Sequence, residues 1–313
     1  MKAKTIKSVL RRKVDDWLSS IEDEELRKRC KSDTIVTGGS IASMLLGEKV
    51  NDYDLYFTNM ETVRLVAEYY VERFKSERHS GIPVKIYVDS TGDRVKIVAK
   101  SVGVASEEGT EEPYRYFEGR PSDEAGEYVS RVMDDPGEIE DTLEETVESL
   151  VDEESSDKPR YRPVFLSSNA ITLSHRVQIV LRFYGDADKI HENYDFVHCT
   201  NYWESKSGDL TLRQPALESL LARELRYVGS RYPICSLVRM RKFIRRGWTI
   251  NAGQILKMVW QVNELDLKSV SVLEDQLTGV DVAYFAQLVS KLIERDPEKV
   301  NSAYLVEIID RMF

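Results

Sequence analysis

The chain has 313 residues, of which 42% are hydrophobic, and a formal net charge of −10 from 44 Lys and Arg against 54 Asp and Glu. This length allows about two domains and this composition supports a buried core, so a fully disordered chain is excluded. The charge is uneven, because residues 104–158 hold 20 acidic and 4 basic residues, whereas the rest of the chain carries +6. The composition predicts a basic folded body with an acidic insertion.

Membrane, secreted and zinc-binding classes are also disfavoured. No apolar run approaches the roughly 18 to 20 residues that a membrane span requires, and charges interrupt the N-terminal apolar positions, so we expect a cytoplasmic protein. Cys30, Cys199 and Cys235 are widely spaced without a CxxC pair, and the four histidines show no HExxH spacing. Neither disulfides nor a zinc centre is therefore expected.

The predicted elements begin with residues 6–30, whose apolar positions indicate one amphipathic helix or two short ones. A strand at Thr34–Thr37, a turn at Gly38-Gly39 and a short helix ending at Gly47 follow. Next come a strand over 52–57, a helix over 62–74 and a hairpin over 84–88 and 95–99. The acidic insertion lacks core residues, and we predict a surface segment that is mobile or only locally helical. Further strands are predicted over 163–166, 170–173, 177–184 and 194–199, with a short helix over 186–190, before a helical region from 215 onward.

The most informative segment combines a glycine turn with two carboxylates. Asp52 and Asp54 alternate along a strand, so their side chains share one face with Cα atoms about 7 Å apart. Their mutual repulsion is relieved by divalent cations such as Mg²⁺. The Gly38-Gly39-Ser40 turn at a helix start offers backbone N–H groups and a hydroxyl to a phosphate. Either feature alone is more often structural, as a turn or a solvated edge, but together they indicate nucleotide chemistry.

Four blocks in order resemble the class II CCA-adding and bacterial poly(A) polymerase family, within the polymerase-β-like nucleotidyltransferase superfamily. Residues 38–55 resemble its G-G-x-x-R-D-x-L-L-G…D-I-D-L head, and Asp195-Phe196 stands where the family has D-F-T. Residues 224–229 resemble its I-R-x-V-G element, and residues 239–250 resemble its neck helix. The resemblance implies an α+β fold with a mixed or antiparallel sheet flanked by helices. It divides the chain into an N-terminal helix (1–30) packed on a nucleotidyltransferase head (31–212, interrupted by 104–158), followed by an all-helical neck and body (213–313).

The family places a third carboxylate on a neighbouring strand, and Asp195 is our choice because an unpaired carboxylate is costly in its apolar surroundings. The alternative is a strand-start residue or helix cap. The resemblance then implies that Asp52, Asp54 and Asp195 hold Mg²⁺ or Mn²⁺. It further implies that the chain transfers a nucleoside monophosphate from an NTP to a hydroxyl, either an RNA 3′ end or a protein hydroxyl.

The chain departs from this family at three places. The R-D pair is Ala42-Ser43, the basic pair before D-F-T is Asn193-Tyr194, and the E-D-x-x-R element of the neck is absent. These losses argue against ordered C, C, A addition. They also leave open a catalytically inactive protein of this fold that serves in binding or assembly and is phage-encoded.

A basic stretch follows the head. Residues 212–246 contain nine Arg or Lys against two Glu, and Arg239, Lys242 and Arg246 have the spacing of one helix face. We predict that these three bind a triphosphate or an RNA backbone, with pairing to the acidic insertion as the alternative. His191 and His198 are predicted to be structural. Trp17 and Trp260 are predicted to lie in the core.

Overall fold

The computed structural model describes residues 1–77, 84–90, 92, 94–101, 116–118, 160–167, 169–267, 269, 272 and 276. Only Tyr116–Glu118 of the acidic insertion lies within these ranges. The predicted mobility of the insertion, its pairing with the basic stretch and the helical body after residue 276 therefore lie outside the described residues.

Two helices form the N-terminal region, α1 (Ala3–Ser19) and α2 (Glu24–Asp33). They are separate because the Asp23 carboxylate caps α2 by accepting a hydrogen bond from the Leu26 N–H. Helix α1 buries its apolar stripe in the main core, and the Trp17 indole N–H donates to the Tyr70 hydroxyl at 2.8 Å. Trp17 is fully buried, which confirms its prediction as a core residue.

The elements after α2 are, in chain order, β1 (Thr34–Thr37), α3 (Gly39–Leu46), β2 (Tyr53–Phe57), α4 (Met60–Glu77), β3 (Val84–Asp89), β4 (Lys96–Ser101), β5 (Tyr116–Glu118), β6 (Pro163–Ser167), β7 (Ala170–Leu173), β8 (Val177–Tyr184), α5 (Ala187–His191), β9 (Tyr202–Glu204) and β10 (Leu210–Thr211).

An eight-stranded mixed sheet forms the centre of the molecule, in the order β10-β9-β1-β2-β8-β7-β6-β5. Within this sheet β2 and β8 run parallel, and the other adjacent pairs are antiparallel. Helices flank the sheet, as the family resemblance implies, and the predicted hairpin β3–β4 is a separate two-stranded sheet.

The central strands present two different faces. Because residues paired across neighbouring strands point to the same side, the register separates two sets of side chains. The core face packs into the main core with α1 and α4 and consists of Val36, Leu55, Phe57, Ile179, Leu181 and Trp203. The opposite face consists of Ile35, Thr37, Asp54, Tyr56, Gln178 and Val180.

The segment after α5 differs from its prediction, because residues 194–199 do not form a strand. Val197–Cys199 is a 3-10 turn, and the segment makes a single isolated β-bridge between Phe196 and Tyr227. The backbone N–H groups of Cys199 and Thr200 donate to carbonyls three residues earlier, so they are not available to a sheet partner.

The region after residue 213 is mainly but not wholly helical. It contains α6 (Gln214–Ala222), α7 (Pro233–Arg245) and α8 (Ala252–Asn263), with a short parallel pair of β11 (Glu224–Leu225) and β12 (Thr249–Ile250). A second core joins these elements to the head around Phe196, Tyr227 and Trp248.

Helix α8 buries Met258 in the second core and turns its other side outward, so Trp260 is 75% exposed. The prediction that Trp260 lies in the core is therefore wrong. Among the described helices, none is long and apolar enough to cross a membrane.

Candidate functional site at the glycine turn

The glycine turn and the carboxylates meet at the ends of β1 and β2. Antiparallel pairing places Thr37 opposite Asp54, and Gly38 follows with φ of +98°, a conformation that favours glycine. A Cβ atom at Gly38 would lie 2.9 Å from Oδ2 of Asp54. The carboxylate therefore occupies the space that glycine leaves. Asp52 stands just before the first residue of β2, and both carboxylate residues are partly exposed.

The turn also leaves room for a ligand at the start of α3. Gly39 is exposed, and no atom lies within 4 Å of the position that a Cβ would take there. Ser40 is buried, and its hydroxyl oxygen has no hydrogen-bond partner. The first N–H groups of a helix have no partner within the helix and favour anions. Gly39 thus offers space and Ser40 a donor for a phosphate, whereas the Gly38 N–H already donates to the Cys199 carbonyl at 3.1 Å. Phosphate binding by Gly38, Gly39 and Ser40 stays a prediction.

Helix α5 and Tyr194 pack on the opposite face of the sheet, which is the face that carries Thr37 and Asp54, and they cover the site there. The Thr37 hydroxyl lies 2.7 Å from Nε2 of His191, whose ring contacts the Tyr194 ring edge-on with centroids 4.9 Å apart. The Tyr194 hydroxyl would lie 3.4 Å from a Cβ at Gly38. Sequence reasoning did not assign Thr37 or Tyr194 to the site, although Tyr194 stands where the resembling family has a basic residue.

The covering side chains are uncharged near neutral pH. Burial, assisted by the charge of Arg213, lowers the pKa of His191 to about 4. Burial also raises the pKa of Tyr194 well above its ordinary value of 10.0, and the nearby Asp54 carboxylate adds to this effect. Neither residue therefore compensates the charge of Asp54. A neutral, buried His191 agrees with the structural role predicted for it.

Asp195 lies close to this region but is not in a strand. Its carboxylate accepts a hydrogen bond from Nη1 of Arg239 at 2.7 Å and another from the Phe196 N–H at 2.9 Å. The side chain is 9% exposed, so the Arg239 ion pair is largely shielded from water. The structure thus pairs Asp195, which was assigned to catalysis from the sequence, with Arg239, which was assigned to nucleotide binding. A role for Asp195 as a metal ligand stays a prediction.

His198 occupies an aromatic enclosure between the head and the second core. Its ring lies 4.6 Å from the Phe243 ring and 4.5 Å from the Trp248 ring, measured between centroids. Neither ring nitrogen has a hydrogen-bond partner, and burial lowers the pKa to about 4. A neutral histidine packed in this way contributes to the fold.

The basic stretch is partly neutralised by acids outside the insertion. Arg239 and Lys242 belong to α7, whereas Arg246 is exposed and follows the last residue of that helix. A shared role of Arg239, Lys242 and Arg246 in nucleotide binding stays a prediction. The stretch forms ion pairs within the described residues, namely Arg213–Asp188, Arg223–Glu48, Arg226–Glu218 and Arg239–Asp195.

The donor set at the turn is suited to a divalent ion that also binds substrate. Mg²⁺ prefers oxygen ligands and is often held by one or two carboxylates together with substrate phosphates. Asp52 and Asp54 supply such carboxylates, and the open space at Gly39 adjoins them. Within the described part of the chain, no group of three His, Cys, Asp or Glu side chains is arranged to hold a metal ion. An ion at Asp52 and Asp54 would therefore need further oxygen ligands, such as phosphate oxygens and water, to complete its coordination.

The fold and site define an α/β protein with a helix-flanked mixed sheet and a glycine turn beside paired carboxylates. A model of the Gabija anti-defense 2 family matches residues 8–223, which is more than half of the chain. The chain therefore belongs to the Gabija anti-defense 2 family. A protein of Bacillus phage SPbetaL7, named Gabija anti-defense 2, is 27% identical over 103 residues. This match covers 33% of the present chain and only 26% of the phage protein.

Solved CCA-adding enzymes are distant structural neighbours. The Thermotoga maritima enzyme complexed with tRNA has a TM-score of 0.39 at 13% identity, covering 92% of this chain and 56% of the enzyme. The Bacillus stearothermophilus enzyme in complex with CTP has a TM-score of 0.36 at 13% identity, covering 94% of this chain and 53% of the enzyme. Because these scores are below 0.5, the nucleotidyltransferase assignment continues to depend on the order of the sequence motifs.

Proposed function

We propose that the chain opposes the Gabija defence as a metal-dependent nucleotidyltransferase, which moves a nucleoside monophosphate from an NTP to a hydroxyl, in the first instance an RNA 3′ end. The observation that carries this proposal is the contact between Gly38 and the Asp54 carboxylate. This contact places a candidate phosphate-binding turn beside a candidate metal ligand. A turn and a carboxylate that had only structural roles would not need to lie together.

The roles of the residues follow from this contact. The N–H groups of Gly39 and Ser40 and the Ser40 hydroxyl bind triphosphate oxygens beside the helix α3 N-terminus. Asp52 and Asp54 would hold Mg²⁺ or Mn²⁺. When bound, this ion supplies charge neutralisation on the phosphates and a lower pKa for the acceptor hydroxyl. Tyr194 and His191 cover the turn and limit the access of water.

Asp195 and Arg239 belong to the same site in this proposal. Arg239 is a suitable triphosphate ligand because its guanidinium group pairs with phosphate oxygens in a fixed geometry. When the triphosphate takes Arg239, with Lys242 and Arg246 nearby in sequence, the Asp195 carboxylate loses its partner. Asp195 would then become the third carboxylate that holds the ion.

Phage plating tests whether the carboxylates carry the biological effect. In bacteria that contain the Gabija system, we expect the wild-type chain to restore plating of a Gabija-restricted phage. We expect the Asp52→Ala, Asp54→Ala double variant to lose this effect.

A matched double variant, Asp15→Ala with Asp209→Ala, controls for the loss of two carboxylates. Both residues are exposed, in ion pairs with Lys31 and Lys7, and the variant should protect phage like the wild type. Full protection by the Asp52, Asp54 variant would contradict catalysis. It would instead favour the alternative of an inactive protein that acts by binding.

A further inference from the structure

Gln178 lies beside Asp54 on the opposite face of the sheet, although no sequence motif marks it. The two residues are direct partners in the parallel pairing of β2 with β8. Neighbouring strands are about 4.8 Å apart, and paired residues point to the same side. The Gln178 side chain therefore starts next to the carboxylate of the proposed site, on the side away from the glycine turn.

The Gln178 amide is buried but incompletely satisfied. The residue is 8% exposed, and its Nε2 has no hydrogen-bond partner. Leaving a buried donor unpaired is unfavourable, and such groups in folded proteins usually have a specific reason. The Ser40 hydroxyl, on the other side of β2, is likewise buried and without a partner. Gln178 is thus paired with Asp54 across β8 and β2, Ser40 lies two residues after Gly38 at the turn, and the Tyr194 hydroxyl near Gly38 is also buried without a partner.

The chemistry of these groups identifies the kind of ligand. An amide N–H₂ group cannot coordinate a cation, but it donates to oxygen atoms that only accept hydrogen bonds. Phosphate oxygens have this property, and they are the groups that a divalent ion at Asp52 and Asp54 would bring to this position.

We propose that Gln178 is a substrate-binding residue, whose Nε2 donates a hydrogen bond to a triphosphate oxygen held at Asp52 and Asp54. This inference rests on the proposed function and adds to its site a ligand-binding residue on the side of Asp54 away from the glycine turn. In this arrangement the triphosphate lies across the end of β2, with Ser40 on one side and Gln178 on the other.

Binding measurements on the full chain test this role without an acceptor. Titration calorimetry would compare Mn²⁺ alone, Mn²⁺ with tripolyphosphate and Mn²⁺ with each NTP. For Gln178→Leu we expect unchanged binding of Mn²⁺ alone and about 10-fold weaker binding of tripolyphosphate and of NTP, because one hydrogen bond to a charged group is lost. For Gln178→Glu we expect tighter Mn²⁺ binding, since a carboxylate is added beside Asp54, and weaker tripolyphosphate binding.

Gln214→Leu, at an exposed glutamine in α6, is the matched control and should bind all three ligands like the wild type. Denaturation midpoints report whether each variant is folded, and Gln178→Glu, which keeps the side-chain shape, carries the test if Gln178→Leu unfolds. Wild-type phosphate affinity in both Gln178 variants would overturn the inference and leave the proposed function standing. Absence of NTP binding by the wild-type chain would overturn both.

Discussion

The two faces of strands β1, β2 and β8 differ sharply although they share the same backbone. On the core face, Leu55 and Ile179 are fully buried among other apolar side chains. On the opposite face, the residues one position earlier are Asp54 and Gln178, a carboxylate and an amide with an unpaired donor. At this point of the sheet the core face is apolar. The opposite face also buries Ile35, Tyr56 and Val180, but it places polar side chains beside the glycine turn.

This difference teaches where function resides. A buried apolar face is explained by the fold alone, because burial of apolar surface is the main favourable contribution to folding. Polar groups that remain unpaired beside a carboxylate lower stability and need another explanation. If the two faces differ in this way, substitutions on the core face should lower stability, whereas substitutions at Asp54 should lower activity.

The largest effect should come from the core face. Leu55→Ala removes a fully buried side chain and should lower the free energy of unfolding by about 2–5 kcal/mol. Asp54→Asn, on the opposite face, should change it by less than about 1 kcal/mol or increase it, because the substitution removes charge repulsion near Asp52. Urea denaturation measures both values. An Asp54→Asn loss as large as that of Leu55→Ala would remove the distinction between the faces.

A slightly smaller effect is expected from pH. The pKa values of His191 and His198 are about 4 in the folded chain, below the ordinary 6.5, so the unfolded chain takes up protons first as the pH falls. Stability should be complete above about pH 6.5 and should decrease toward pH 4, by up to about 3 kcal/mol for one such histidine. His198→Leu should reduce this slope. Denaturation midpoints between pH 7.5 and 4.5 measure the change, and an identical slope in the variant would contradict the assignment.

The Asp195–Arg239 pair should give a smaller change in stability than Leu55→Ala. Arg239→Met leaves a buried carboxylate without its cation and should destabilise the chain by about 1–3 kcal/mol. Adding Asp195→Asn should recover part of this loss, because the amide carries no charge. A double-mutant cycle by denaturation measures the coupling between the residues. Additive effects of the two substitutions would show that the pair contributes nothing.

Much of the fold was predictable from local patterns. Periodicity predicted β1, α3, β2, α4 and the β6–β8 strands, and the Gly38-Gly39 pair predicted the turn after β1. These features are encoded in short segments, where residue spacing determines which side chains share a face.

The remainder depends on contacts between distant segments. Asp195 was placed in a strand because its neighbours are apolar and aromatic, but those side chains pack on α7 and Trp248 through a 3-10 turn. Gln178 carries no motif, and its position beside Asp54 follows only from the parallel pairing of β8 with β2. Trp260 was predicted to lie in the core because it stands in an apolar run, but α8 packs through Met258 and leaves Trp260 exposed.

The most direct test of the central claim is the origin of the label in a transfer assay. The wild-type chain would be incubated with Mg²⁺ or Mn²⁺, total RNA and cell protein, and each NTP labelled at either the α- or the γ-phosphate. We predict that label enters RNA, or else protein, from the α-phosphate alone, and that Asp54→Asn abolishes this transfer while remaining folded. Incorporation from the γ-phosphate, or no incorporation from any α-labelled NTP, would contradict nucleotidyl transfer at this site.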